Sequence, residues 1–329
     1  MKQGLSRFEF FFNRLKPILD TAGRQKNPAL WLYRNDARTP LFMLEALAKL
    51  YAGLHNRKKF TKVKEHFKIL EDALGAVDYY DIMAKTLVTN KKIPANIIDY
   101  LQAQSREKIQ SLNEILVENE WLTPGRRVNK LLGKLAKADW LTEKDEANEI
   151  KDFYGEAIYD IVAFAQEKDY KFVNIETEVH ELRRKMRWLS IYAQALRGAI
   201  QLQKTATTPK YLTKYLSKDI VGSSYNTLPP SGELSWLLYV DQNHFYALSW
   251  MIAELGSLKD MGLQIIAIKE ALQQTSSLSD EKAFAKTYQL LGSTHANIQQ
   301  ILDKAGSLCK MYFKEQNLEH LVIGIQPKI

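Results

Sequence analysis

The chain has 329 residues and a formal net charge of +8, which favours anionic partners such as polyphosphate, nucleic acid or an anionic surface. Its 46% apolar and 26% charged residues are typical of a folded globular protein and argue against a disordered chain. The single cysteine, Cys309, excludes an internal disulfide.

The N-terminal region is rich in phenylalanine, but Glu9 and Arg14 interrupt the apolar run, so no secretion signal is expected. No segment has the roughly 18 to 20 consecutive apolar residues that a membrane span requires. Together with the lone cysteine, this favours the cytoplasm as the location.

Apolar residues recur at intervals of three and four, which predicts amphipathic helices. Phe67, Leu70 and Leu74 show this spacing, and so does the stretch from Ile109 to Leu116. Long alternating strand patterns are absent, so the fold class is all-α, with about ten to twelve helices. Helix breaks are expected at four places: Pro94, 123–125, 208–209 and the long loop 222–232.

One Leu-Gly pair in each half of the chain follows an apolar helical stretch and precedes an acidic residue: Leu74-Gly75 and Leu255-Gly256. Each glycine is predicted to end a helix, because glycine reaches the left-handed conformation at little cost. A helix carrying arginine is expected upstream of each pair, over 34–51 and 180–202. This order suggests two related helical halves.

The segment 178–189 carries the densest group of basic residues. Helical geometry places His180, Arg183, Arg184 and Arg187 on one face, opposite an apolar face, and leaves Lys185 as ordinary surface. Guanidinium groups present planar donors that suit phosphate oxygens, and histidine adds a further donor. The alternative is a charged face that simply contacts solvent.

Two weaker basic pairs lie in the first half. Arg34 and Arg38 are spaced one turn apart, and Lys64 and Lys68 have the same spacing. Both pairs are candidates to extend a basic surface, although an exposed solubilising role is the more common one for each lysine.

The segment Val179-His180-Glu181-Leu182-Arg183, followed by Arg184 and Arg187, resembles the motif of the CHAD domain family. The stretch from Leu255 to Asp260 is similar to the family's Leu-Gly turn with its acidic residue, and the stretch from Leu74 to Asp78 matches in part. The resemblance extends over nearly the whole chain, from about residue 1 to 320. It implies one CHAD-like domain over 1–329, built of two pseudo-symmetric antiparallel helical bundles at 1–165 and 166–329.

The resemblance further implies that a basic groove between the bundles binds inorganic polyphosphate or another polyanion, without catalysis. It also suggests association with polyphosphate granules. The first half departs from the family pattern, because Trp31 stands at the histidine position and Asp78-Tyr79 replaces an arginine-aspartate pair. The expected polyphosphate-binding residues are Arg34, Arg38, Lys64, Lys68, His180, Arg183, Arg184 and Arg187.

Two other functions remain open on the sequence. One is a nucleic-acid binder, which the basic charge and abundant aromatics allow, although no helix-turn-helix, RNA-recognition or zinc motif is visible. The other is a helical protein-interaction scaffold with a degenerate ligand site. The scattered histidines have no zinc-ligand spacing, and phosphate-loop and nucleophile-elbow motifs are absent, so no metal, cofactor or enzymatic activity is predicted.

Overall fold

The computed structural model describes residues 3–205 and 207–328, and most of them are helical, as predicted. Within these two ranges, no helix is both long and apolar enough to cross a membrane. The α-helices are α1 (Gln3–Ala22), α2 (Pro28–Arg34), α3 (Arg38–Leu54), α4 (Arg57–Leu87), α5 (Ala95–Glu118), α6 (Arg126–Ala136), α7 (Glu143–Glu167), α8 (Glu181–Ala195), α9 (Lys218–Val221), α10 (Gln242–Ser276), α11 (Asp280–Leu291) and α12 (Ile298–Lys314).

Short non-α helices complete the helical part: a π-helical turn over Ile175–His180 and 3₁₀ turns over Lys210–Tyr215 and Ser224–Asn226. The π-turn runs directly into α8. The predicted loop 222–232 contains one of the 3₁₀ turns and otherwise has no regular structure.

A small sheet stands where the sequence predicted no strands. It consists of β1 (Ile200–Gln203), β2 (Trp236–Asp241) and β3 (Val322–Pro327), with β1 parallel and β3 antiparallel to the central strand β2. The strands have only four to six residues each, and β1 and β2 pair across more than thirty intervening residues. Strands this short show little of the long alternation of apolar and polar residues by which a strand is predicted from a sequence.

The two Leu-Gly pairs do not end helices, contrary to the prediction. Gly75 lies inside the 31-residue helix α4, and Gly256 lies inside the 35-residue helix α10. Each glycine instead faces an arginine side chain from a neighbouring helix, which occupies the space that a Cβ atom would fill. The glycines are needed for side-chain packing and not for a left-handed turn.

The predicted arginine-bearing helix over 34–51 is also divided. Arg34 ends α2 and Arg38 begins α3, and between them Asp36 has a φ of +52°. Pro40, in the first turn of α3, favours this boundary because proline has no N–H to donate to the carbonyl of Asp36 and its ring would clash with that carbonyl in a continuous helix. The two arginines therefore do not form a stripe on one helix.

Residues from both halves share the apolar interior. The main core runs from Phe8 in α1 to Leu321 near β3, and α3 packs against α1, α4, α7 and α8 within it. A smaller core joins the C-terminal part of α4 and α5 to α10 and α11, with Leu87 and Ile97 on one side and Ile268 and Ala283 on the other. Because α3 lies next to both α4 and α8, side chains from these three helices share one surface.

Candidate functional site

The entry to α8 is fixed by an asparagine cap. The side chain of Asn174 accepts hydrogen bonds from the backbone N–H groups of Glu176 and Thr177, at 2.8 and 2.9 Å. At the end of the π-turn, His180 Nδ1 lies 3.8 Å from Glu176 Oε1. The nearby ring of His180, opposed by partial burial, lowers the pKa of Glu176. His180 therefore lies beside a carboxylate of its own turn.

Arg183 is directed from α8 toward α10. Its Nε atom donates to the carbonyl oxygen of Ile252 at 3.1 Å, and a Cβ atom on Gly256 would come within 2.9 Å of that Nε. Burial, followed by the like charge of Arg187, lowers the pKa of Arg183. The side chain is thus half-buried, and its Nε donates to a neutral carbonyl.

Arg187 and Arg38 converge on one aromatic ring. The guanidinium carbon of Arg187 lies 4.8 Å from the centre of the Phe42 ring, and that of Arg38 lies 5.2 Å from it. Such contacts are favourable cation–π interactions. Desolvation, followed by the charge of Arg38, lowers the pKa of Arg187. Arg187 from the second half of the chain and Arg38 from the first half therefore contact the same ring, as a joint site requires.

The charge of Arg38 is already balanced by carboxylates. Its Nε donates to Glu71 at 2.7 Å and its Nη1 donates to Asp78 at 2.8 Å, both on α4. The Cβ of an alanine at position 75 would lie 2.8 Å from Nη2 of the same arginine. Arg38 is consequently held against α4, and its guanidinium is not free to bind an anionic ligand.

Arg34 lies apart from this meeting point. It is exposed at the end of α2, and its charge acts on Asp81 in α4. Although partial burial opposes the shift, hydrogen bonds from Lys85 and Tyr33 and the charge of Arg34 lower the pKa of Asp81. The structure therefore brings Arg38, but not Arg34, to the arginines of α8.

Five basic side chains from three helices form a group that we call the basic cluster: Lys49 of α3, Lys64 and Lys68 of α4, and Arg184 and Lys185 of α8. Partial desolvation lowers the pKa of Lys49 to about 8 against the opposing charge of Glu45, and the charges of Lys185, Arg184 and Lys64 act in the same direction as the desolvation. Lys185, which the sequence left as ordinary surface, is thus part of the group.

Few carboxylates neutralise the basic cluster. Lys68 pairs with Asp72 at 2.5 Å, and Arg184 pairs with Glu181 at 2.6 Å. Within residues 3–205 and 207–328, Lys49, Lys64 and Lys185 have no carboxylate within 4 Å. Like-charged groups held together without counter-charges repel one another, so an anionic ligand would stabilise the cluster.

Glu45 is buried on α3 beside the cluster, with 6% of its surface exposed. Desolvation, followed by the nearby Glu71, raises the pKa of Glu45 to about 7, against the opposing charges of Lys68 and Lys49. Near neutral pH a large fraction of this carboxyl is protonated and cancels no positive charge. No local sequence pattern predicts this group, since its burial depends on helix packing.

An aromatic pair connects the arginines with the basic cluster. The rings of Phe42 and Trp188 lie 6.2 Å apart, and the ammonium of Lys49 lies 4.9 Å from the centre of the Trp188 ring. Arg187 contacts the other ring of the pair. Arg187, Phe42, Trp188 and Lys49 therefore follow one another across a single surface.

A pocket of about 390 Å³ opens on the other side of α8, between α3, α10 and the segment 219–225. Arg183 and Arg187 line it together with polar and apolar side chains. The segment is fastened by Gln194, whose amide donates to the carbonyl oxygens of Tyr225 and Thr227 at 3.0 Å each. The predicted loop is thus an ordered wall of this pocket.

The described residues contain no group of three or more metal-binding side chains arranged to hold a metal ion. No family model, curated protein or solved structure matches the chain. The side-chain geometry is therefore the basis for the functional proposal.

Proposed function

We propose that this protein binds inorganic polyphosphate, or another linear polyanion, on the surface formed by the basic cluster and Arg187. The observation that carries the proposal is the convergence of uncompensated basic groups from α3, α4 and α8 on one surface. Binding without catalysis, and association with cytoplasmic polyphosphate granules, are parts of the same proposal.

The types of donor suit a phosphate chain. Arginine offers forked donors to phosphate oxygens, and lysine offers a mobile point charge that follows a flexible backbone. A linear polyanion needs many such donors spread over a surface, and it needs no reading of base edges. Lys64 on α4 and Lys185 on α8 supply charges on two sides of Lys49.

The resemblance to CHAD domains adds support through a repeated packing relation. In one half Arg38 lies against Gly75, and in the other Arg183 lies against Gly256. In both cases the arginine is near the start of one helix and the glycine is inside a long neighbouring helix. We attribute this relation to two pseudo-symmetric helical halves, which is the architecture that the resemblance implies.

The proposal gives different roles to the basic residues predicted from the sequence. Lys64, Lys68, Arg184 and Arg187 make direct ligand contacts. Arg38 holds α3 against α4 through two carboxylates, and Arg183 holds α8 against α10 through the bond from its Nε to the Ile252 carbonyl, so neither contacts the polyanion. Arg34, exposed at the end of α2, contributes only through the general positive field, and His180, which lies beside Glu176, is given no direct ligand contact.

The test is a titration of the full chain with long-chain polyphosphate at several salt concentrations. The triple variant Lys64→Gln/Lys68→Gln/Arg184→Gln removes three exposed or half-exposed charges from the surface. For comparison, single-stranded nucleic acids show a salt slope of about 0.7 per neutralised phosphate, so the variant should lose about 2 from its log–log slope. Its affinity at low salt should fall strongly.

A matched control removes three charges elsewhere. Lys282, Lys286 and Lys304 are exposed on α11 and α12, so their replacement by glutamine changes net charge equally. The control should keep most of the affinity and its salt slope. Equal losses in both variants would mean that only net charge matters and would reject the proposed surface.

Competition separates polyphosphate from nucleic acid. If the proposal is right, polyphosphate should displace a single-stranded RNA probe at a much lower concentration of phosphate groups than RNA needs to displace polyphosphate. The opposite order would favour a nucleic-acid function, in which aromatic side chains such as Trp188 stack on bases.

A further inference from the structure

The pocket beside α8 has a lining that a polyphosphate chain does not require. Its walls include the apolar side chains of Phe42, Met43, Ile191, Ile220 and Ile252. Inorganic polyphosphate has no apolar part that could use such walls. Ligand sites of this size usually combine an apolar lining with a few polar groups that fix the orientation of the ligand.

Positive charge is concentrated on one wall of the pocket. Arg183 and Arg187 lie one turn apart on α8, and within the part of the chain that the structure describes neither has a carboxylate within ion-pair distance. Asp219 is the one carboxylate in the lining, and it is an exposed residue on the opposite segment. Half-buried guanidinium groups without counter-ions favour a bound anion, which would restore charge balance.

The far wall of the pocket is ordered by internal hydrogen bonds. Asn226, which is buried, donates through its amide to the carbonyl oxygen of Ile220 at 2.7 Å and accepts a hydrogen bond from the hydroxyl of Ser249 on α10. With the two bonds from Gln194, these contacts attach the segment to both α8 and α10. The cavity is therefore pre-formed, which reduces the entropic cost of binding.

From this combination we infer that the pocket binds a small amphipathic anion. Its phosphate, sulfonate or carboxylate group would pair with Arg183 and Arg187, and its apolar or aromatic body would pack on Phe42, Ile191 and Ile252. This site is separate from the polyanion surface, although Arg187 borders both.

The probe for the test is 8-anilinonaphthalene-1-sulfonate, an aromatic sulfonate whose fluorescence increases in apolar surroundings. Titrated with the full chain, it should bind at one saturable site. Arg187→Gln should weaken that binding about tenfold or more, because a charge-assisted hydrogen bond is lost. Ala253→Trp, at an exposed position on the rim, should block the pocket without disturbing the core.

Two control variants should leave the probe affinity unchanged. Arg106→Gln removes an exposed charge on α5, and Ala285→Trp adds an exposed ring on α11. Decyl phosphate and decanoate, used below their micelle concentrations, should displace the probe and would show which head group is preferred. Tripolyphosphate at equal ionic strength should displace it poorly.

Two outcomes would overturn the inference. One is equal probe binding by Ala253→Trp and the native chain, which would place the probe elsewhere. The other is displacement by tripolyphosphate as effective as that by decyl phosphate, which would make the pocket an end of the polyanion surface. Because the Lys64→Gln/Lys68→Gln/Arg184→Gln variant leaves the pocket lining intact, failure of polyphosphate binding can be recognised separately from failure of this inference.

Discussion

Replacement of Glu45 by glutamine should make the protein more stable at neutral and alkaline pH. Glu45 is buried on α3, and among the described residues it has no hydrogen-bond or ion-pair partner within 4 Å. Burial is the main cause that raises its pKa, with Glu71 adding to the effect, and Lys68 and Lys49 only partly oppose it. The ionised carboxylate is therefore unfavourable in the folded state.

The sign and size of the effect follow from proton linkage. Between pH 4.5 and about 7 the folded chain binds more protons at Glu45 than the unfolded chain, so stability falls as the pH rises through this window. The rise of the Glu45 pKa from 4.5 to about 7 lowers the unfolding free energy of the native chain by about 3 kcal/mol above pH 7. This loss disappears below about pH 4.5. Glutamine has no such cost.

Urea unfolding of the native chain and Glu45→Gln at several pH values between 4.5 and 8.5 measures the difference. The difference in unfolding free energy between Glu45→Gln and the native chain should grow with pH up to about pH 7, in favour of the variant, and stay constant above it. Glu65→Gln, which changes an exposed carboxylate on α4, should stay within about 0.5 kcal/mol of the native chain throughout. A difference for Glu45→Gln that is independent of pH, or of opposite sign at pH 8, would refute the reasoning.

Two further predictions concern charge. Polyphosphate affinity, measured by titration at fixed ionic strength, should fall between pH 6 and pH 9, because Glu45 ionises near pH 7 and Lys49 loses its proton near pH 8. A flat profile would contradict the role given to these groups. In the main core, Arg7 donates to Glu146 at 2.7 Å and both side chains are buried, so Glu146→Ala should cost about 3–5 kcal/mol in urea unfolding. A loss below about 1 kcal/mol would indicate that the hydrogen bond Arg7 already donates to Tyr51 is enough to satisfy the buried guanidinium.

Local patterns in the sequence were enough to predict a mostly helical fold, although they did not predict every helix boundary. The spacing of Phe67, Leu70 and Leu74, for example, places all three in the core of α4. Strand β2 was missed because Trp236–Asp241 is a short, mostly buried run with no clear alternation. Its pairing with β1 and β3 is non-local, and such pairing leaves no local sequence signal.

The candidate site could be predicted only in part. The arginines of α8 were visible as a cluster, since they lie within two turns of one helix. The contributions of Phe42, Lys49 and Glu45 were not visible, because they depend on how α3 packs between α4 and α8. Likewise, the separation of Arg34 from Arg38 depends on a helix break whose only local signal was Pro40.

Gly256, which lies inside α10 and does not end a helix, allows a test of its packing role, with Gly133 of α6 as the comparison. Alanine is favoured over glycine inside a helix by about 1 kcal/mol, so Gly133→Ala, where nothing lies within 4 Å of the new methyl group, should stabilise α6 by up to that amount. At Gly256 the methyl group would come within 2.9 Å of Arg183 Nε, which is held by the Ile252 carbonyl. Gly256→Ala should therefore destabilise the protein by about 1–3 kcal/mol in urea unfolding, because overpacking outweighs the gain in helix propensity. Equal stabilisation by both substitutions would mean that Arg183 moves freely, and its assigned role in holding α8 against α10 would be wrong.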